Sequence, residues 1–69
     1  MIPRTYPQWR HCIEVECGIA LLPDYINARL QALAQPGDEP QRFASLYGAA
    51  HLDRVIGWFR RALAEMPAA

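Results

Sequence analysis

The sequence contains no lysine, and all seven of its basic residues are arginine. Seven acidic residues balance them, so the formal net charge is zero at pH 7. Nucleic-acid-binding proteins use a surplus of basic charge to neutralise phosphates, and this chain has no such surplus. We therefore do not expect a nucleic-acid partner, although weak binding through the arginines of the last third of the chain is kept as an alternative.

Long apolar runs and clustered glycines are also missing. The longest apolar run, GIALLP, is far shorter than the ~20 residues of a membrane-spanning helix. The opening MIPRTYPQWRH lacks the apolar centre of a signal peptide, which favours a cytoplasmic location. The four glycines are scattered and form no phosphate-binding loop. These absences argue against membrane, secreted and nucleotide-binding proteins.

The length of 69 residues predicts a single helical domain over residues 1–69. A chain of this size buries only about 60% of the surface that it exposes when unfolded. A cleft that holds a substrate and excludes water is therefore difficult to build. The composition, 52% hydrophobic and 20% charged, is typical of a globular protein.

Prolines and glycines divide the chain into helical segments. Gly18 is predicted to end the first helix, and Pro23 fits the first position of the second. Asp38 is predicted to cap the third, with Gln41 three residues later as in a capping box. We therefore expect an all-α fold, a small compact bundle of three to four short helices. Their predicted ranges are about 7–17, 23–33, 39–47 and 49–65.

The last two segments are predicted to be separate helices that meet at Gly48. The stripe from Leu52 to Leu63 has helical spacing but does not continue backwards onto the apolar residues of 43–47. At about 100° per residue, Phe43 and Phe59 would lie on nearly opposite faces of one helix. A bend lets both stripes enter one core.

The opening segment can be read as a strand or as a helix. Residues 13–17 alternate between apolar and acidic side chains, as a half-buried strand does. No other segment is strand-like, however, and a lone strand leaves its backbone groups unpaired. A helix is therefore favoured, with Trp9, Ile13 and Cys17 roughly along one side.

The histidines and cysteines are the candidate metal ligands, and they are His11, Cys12, Cys17 and His51. Their types suit a Cys2His2 zinc site. The spacing does not, because side chains five positions apart on an α-helix diverge by ~140°. We expect two small buried thiols and no cofactor, with a Cys/His metal- or thiol-based redox module as the alternative function.

No catalytic set is recognisable in the sequence. Cys12 or Cys17 with His51 and Asp53 matches a cysteine–histidine–acid set in residue types only. A thiol on an apolar stripe has a raised pKa and forms little of the reactive thiolate. We therefore predict that the chain is not an enzyme.

The last helix has a wider apolar arc than one neighbouring helix requires. Gly57 in its middle costs roughly 1 kcal/mol against alanine, which points to close approach of another backbone or to a tolerated substitution. Tryptophan and arginine are typical of interface hot spots. The sequence thus predicts a small protein–protein interaction module, an accessory subunit, an inhibitor or a homo-oligomer. The predicted partner-binding residues are His51, Arg54, Trp58, Arg61 and Ala62.

Overall fold

A computed structural model describes residues 2–65, and over this range the protein is a small all-α bundle. The prediction of the fold class is confirmed, and residues 2–65 contain no strand. In this range no helix has the length and apolar character needed to cross a bilayer. The helices are α1 (Tyr6–His11), which continues into a π-helical turn (Cys12–Glu16), α2 (Pro23–Ala34), α3 (Asp38–Tyr47) and α4 (Ala49–Ala64).

The start of α1 is set by Thr5, whose hydroxyl oxygen accepts a hydrogen bond from the backbone N–H of Gln8 at 3.4 Å. Pro7 lies in the first turn, where a missing N–H removes no helical hydrogen bond. Tyr6 and Trp9 are the buried residues of this helix. The local sequence thus begins a helix that places two aromatic rings in the core.

The second half of the first helix is a π-helical turn instead of the predicted α-helix. The Cys17 N–H donates to the Cys12 carbonyl at 2.9 Å, a step of five residues. Gly18 ends the turn at φ +67°, as predicted, in a conformation that glycine adopts easily. The widened turn changes the relative direction of the two cysteine side chains.

The prediction that Asp38 caps α3 is wrong. Gly37 takes the cap position with extended backbone and no side-chain cap, and Asp38 is already the first helical residue. The Gln41 N–H donates to the Gly37 carbonyl at 3.3 Å. Asp38 therefore acts in the first turn, where a carboxylate is stabilised by the helix dipole.

Gly48 separates α3 from α4, which confirms the predicted break. Its φ of +92° lies in a region that favours glycine. The Gly48 N–H donates to the Ala44 carbonyl at 2.8 Å and closes α3. The change of direction lets Phe43 of α3 and Phe59 of α4 pack against one core.

The core lies between α4 and the other helices. Trp9 of α1 meets Phe59 of α4 edge to face, with ring centroids 4.8 Å apart. Ile26 of α2 is completely buried. The buried apolar residues are Tyr6, Trp9, Leu21, Ile26, Leu33, Val55, Phe59 and Ala62.

A polar contact joins the start of α1 to the end of α4. The Tyr6 hydroxyl donates to Oε1 of Glu65 at 2.6 Å and accepts from Nη1 of Arg10 at 3.1 Å. The guanidinium of Arg61 lies 4.1 Å from the centre of the Tyr6 ring. This contact holds the first helix against the last one.

Candidate functional site

A surface groove of about 490 Å³ lies among the helices, and we call it the aromatic groove. Helices α2, α3 and α4 contribute to it together with the first helix and the N-terminal segment. Several of its lining residues are also core residues, so the groove opens directly onto the core. Its lining residues are Ile2, Pro3, Trp9, Cys12, Ile13, Tyr25, Arg29, Leu33, Phe43, Tyr47, His51, Val55 and Phe59.

The lining is rich in ring contacts. Phe43 packs on Tyr47 with centroids 4.9 Å apart, and it stacks on His51 at 5.8 Å with an angle of 10° between the rings. The ring of Tyr25 lies 6.2 Å from that of Phe59. Rings held this way present a firm apolar surface.

The aromatic groove has little unpaired charge among its described lining residues. Arg29 is its charged lining residue, and Nη2 of Arg29 lies 2.7 Å from Oε1 of Glu39 on α3. Burial lowers the pKa of His51, and the positive charge of Arg54 lowers it further. The imidazole is therefore neutral at pH 7. A neutral, aromatic lining favours apolar over anionic ligands.

Two lining residues of the aromatic groove are exposed apolar side chains, and a third exposed apolar residue is adjacent to one of them in sequence. Ile2 and Tyr47, both lining residues, are 49% and 48% exposed. Leu46, in the same turn of α3 as Tyr47, is 68% exposed. The fold thus leaves apolar surface uncovered where the groove meets solvent.

The predicted partner-binding residues of α4 do not form one exposed surface. His51 and Ala62 are buried, whereas Arg54 and Arg61 are exposed. Trp58, the tryptophan of this set, is half-buried, with its ring 6.0 Å from Trp9 and 5.9 Å from His51. The wide apolar arc of α4 is therefore largely covered by contacts within the chain. Of the five predicted partner-binding residues, His51 lines the aromatic groove.

Among the described residues, no neighbour outside the adjacent helical backbone lies close to the Cβ position of Gly57. A Cβ added there would meet nothing within 4 Å. The predicted approach of another backbone is therefore absent within residues 2–65, and nothing in this part of the chain explains why position 57 is glycine.

The prediction of two buried thiols is wrong. Cys12 is half-buried and Cys17 is exposed, because the π-helical turn and its end at Gly18 direct Cys17 to solvent. Burial raises the pKa of the Cys12 thiol, and the neighbouring Glu16 and Cys17 raise it further. Cys12 is therefore a thiol at pH 7, as the sequence predicts.

The four candidate metal ligands are not brought together. His11 is exposed, whereas His51 lies among aromatic rings in the aromatic groove. Within residues 2–65 no three His, Cys, Asp or Glu side chains are placed to hold a metal ion. Asp53, the acid that would complete a cysteine–histidine–acid set by residue type, is exposed to solvent.

The aromatic groove itself was not predicted from the sequence. A weak sequence signal for it was present in Tyr25 and Tyr47, which lie near helix ends, where a tyrosine ring covers the edge of a core and its hydroxyl stays in contact with water.

Comparisons with family models, with curated proteins and with solved structures found no match. The function of the chain must therefore be inferred from the geometry of the aromatic groove.

Proposed function

We propose that the chain is a non-enzymatic protein-binding module whose aromatic groove takes an apolar segment of a partner polypeptide. The observation that supports this most is the groove itself: about 490 Å³ of aromatic-lined space is open among residues 2–65. This volume lies within the range of about 300–1,000 Å³ typical of ligand sites.

The surroundings of the aromatic groove favour a polypeptide over a small molecule. Small-molecule sites usually enclose most of the ligand surface. The aromatic groove is open to solvent instead, and its lining residues Ile2 and Tyr47 are about half exposed. An amphipathic helix would cover these side chains as well as fill the groove with one or two anchors. Arg29 is engaged by Glu39, so it offers a small anionic ligand little orienting charge.

The lining also supports a binding role rather than catalysis. Among the described residues the lining includes no carboxylate, its histidine is stacked on Phe43, and the raised pKa of Cys12 keeps its sulfur as a thiol at pH 7. General acid–base catalysis needs a titrating group within hydrogen-bond reach of a substrate proton. An accessory subunit, an inhibitor or one protomer of a homo-oligomer would all use the groove in the same way.

The test places a photoreactive phenylalanine analogue at position 47 or at position 22 of the full chain in its native cells. Tyr47 lines the aromatic groove, whereas Leu22 is an equally apolar exposed residue, 61% exposed, outside it. We expect a protein adduct from position 47 that the substitution Ile2→Ser reduces. Mass spectrometry of the adduct identifies either another protein or a second copy of this chain.

The matched control is Val15→Ser, which removes a 65% exposed apolar residue outside the groove and should leave the adduct from position 47 unchanged. Circular dichroism verifies that both serine variants remain helical. Equal adducts from positions 47 and 22, or an adduct that Ile2→Ser does not reduce, would contradict the proposal.

A further inference from the structure

The π-helical turn brings Cys12 and Cys17 onto one turn of backbone. The Cys17 N–H donates to the Cys12 carbonyl at 2.9 Å. Ordinary backbone bond lengths on either side of that hydrogen bond keep the two Cα atoms within about 7 Å. This separation is compatible with a disulfide, whereas the wide divergence expected on an α-helix is not.

The two thiols differ in access to solvent. Cys17 is exposed and is the last residue before Gly18, which is itself exposed. Cys12 is half-buried and lies at the edge of a second cavity, of about 320 Å³, together with His11 and Glu16. Because Cys17 is exposed at a helix end, its backbone can adjust at little cost.

We propose that Cys12 and Cys17 are a reversible dithiol–disulfide site that exchanges with low-molecular-weight disulfides such as glutathione disulfide. The exposed Cys17 thiol loses its proton to solvent, and its sulfur attacks one sulfur of the small disulfide, releasing one small thiolate. Cys12 then loses its proton, and its sulfur attacks Sγ of Cys17 and releases the second thiolate. The protein is oxidised by two electrons, and one small disulfide is reduced to two thiols.

The geometry favours a regulatory over a structural disulfide. The bridge would close a loop of only a few residues, and so short a loop gives less entropic stabilisation of the fold than a long one. Exposed or strained disulfides are the ones that exchange readily. Such a site responds to the redox state of its surroundings and does not serve as a permanent cross-link. This inference does not rest on the proposed binding role of the aromatic groove.

The experiment equilibrates the reduced full chain in buffers of glutathione and glutathione disulfide, followed by acid quenching and alkylation. We expect a species about 2 Da lighter than the reduced chain, which matches the loss of two hydrogens in a bridge. Cleavage after Glu14 and Glu16 separates the two cysteines in sequence. Their peptides should stay joined until a reductant is added.

The matched control is the double variant E14C/C17E, which has the same composition but places the second thiol two positions from Cys12. Side chains two apart on a helix do not face each other. We expect its equilibrium constant for bridging to be lower by about tenfold or more. In urea the wild-type constant should fall towards that of the control, because the fold no longer holds the turn.

Two results would overturn the proposal. One is a product in which both cysteines carry glutathione, or are joined between chains, with no bridged monomer. The other is equal bridging by the wild type in buffer, by the wild type in urea and by E14C/C17E, which would show that the folded turn contributes nothing. The urea measurement keeps the test decisive even if E14C/C17E does not fold.

Discussion

The imidazole of His51 lies parallel to the phenyl ring of Phe43, with ring centroids 5.8 Å apart. Burial, and secondarily the charge of Arg54, lowers the pKa of His51 below its ordinary value of 6.5. Tyr47 of α3 and Arg29 of α2 face the same groove, and Arg29 is held by Glu39. The fold therefore prefers the neutral imidazole.

Stability should consequently fall in mild acid. Because the pKa of His51 is lower in the folded chain, its contribution is fully present above pH 6.5 and decreases as the pH falls below it. We expect the melting temperature of the wild type to decrease from about pH 6.5 to 5, and that of His51→Phe to change less. Thermal unfolding followed by circular dichroism measures both.

His11 provides the control, because it is exposed and lies outside the aromatic groove. The melting temperature of His11→Phe should decrease between pH 6.5 and 5 as much as that of the wild type. The pKa of Glu65 is lowered, first by its hydrogen bond from Tyr6, so the contribution of Glu65 is lost only below pH 4.5 and does not interfere. Parallel curves for the wild type and His51→Phe would contradict the prediction.

Substitution by alanine should change the stability of the fold in opposite directions at Gly48 and at Gly57. At φ +92° Gly48 is in a region where other residues are strained by about 1–3 kcal/mol, so Gly48→Ala should destabilise the fold. Gly57 is exposed within α4 and has open space around it, so Gly57→Ala should stabilise by about 0.5–1 kcal/mol. Urea unfolding of the two variants gives both values, and a gain from Gly48→Ala would favour a continuous helix.

The helix pattern was predictable because it depends on local signals. Proline at the start of α2, glycine at the break after α3 and the mismatch of the two apolar stripes are all visible in the sequence. The cap of α3 was misassigned by one residue, since Gly37 and Asp38 are both acceptable cap residues and the sequence does not distinguish between them.

The candidate site was less predictable, because it depends on contacts between distant segments. A one-residue widening of the first helix changes which face carries Cys17, and no composition signal marks a π-helical turn. The aromatic groove arises where the rings of four helices fail to fill the space between them. The sequence shows the aromatic residues but not that space.

The cysteines should differ in their contribution to stability. Cys12 is half-buried, so Cys12→Ala should cost on the order of 1 kcal/mol through a small void. Cys17 is exposed, so Cys17→Ala should change stability by less than about 0.5 kcal/mol. Urea unfolding under reducing conditions tests this, and a larger loss from Cys17→Ala than from Cys12→Ala would show that the π-helical turn is placed differently.

Trp58 should contribute mainly to the folding stability of the single chain and not to its association with other chains. Its ring is half-buried, 6.0 Å from Trp9 and 5.9 Å from His51. Replacing a fully buried aromatic side chain with alanine costs about 3–5 kcal/mol, and most of the Trp58 side chain is covered, so Trp58→Ala should cost about 3 kcal/mol. For a chain whose stability is roughly 0.05–0.15 kcal/mol per residue, this is a large share.

The concentration dependence of that loss separates packing from assembly. Destabilisation by lost packing is the same at every protein concentration, whereas loss of a self-association surface affects concentrated samples most, since only there does assembly stabilise the wild type. We expect Trp58→Ala to lose the same free energy of unfolding at every protein concentration. The control is Leu46→Ala, a change at a 68% exposed residue, whose stability should stay within about 0.5 kcal/mol of the wild type. A loss for Trp58→Ala that grows with concentration, together with light scattering that shows a dissociated variant, would instead place Trp58 at an interface between copies of the chain.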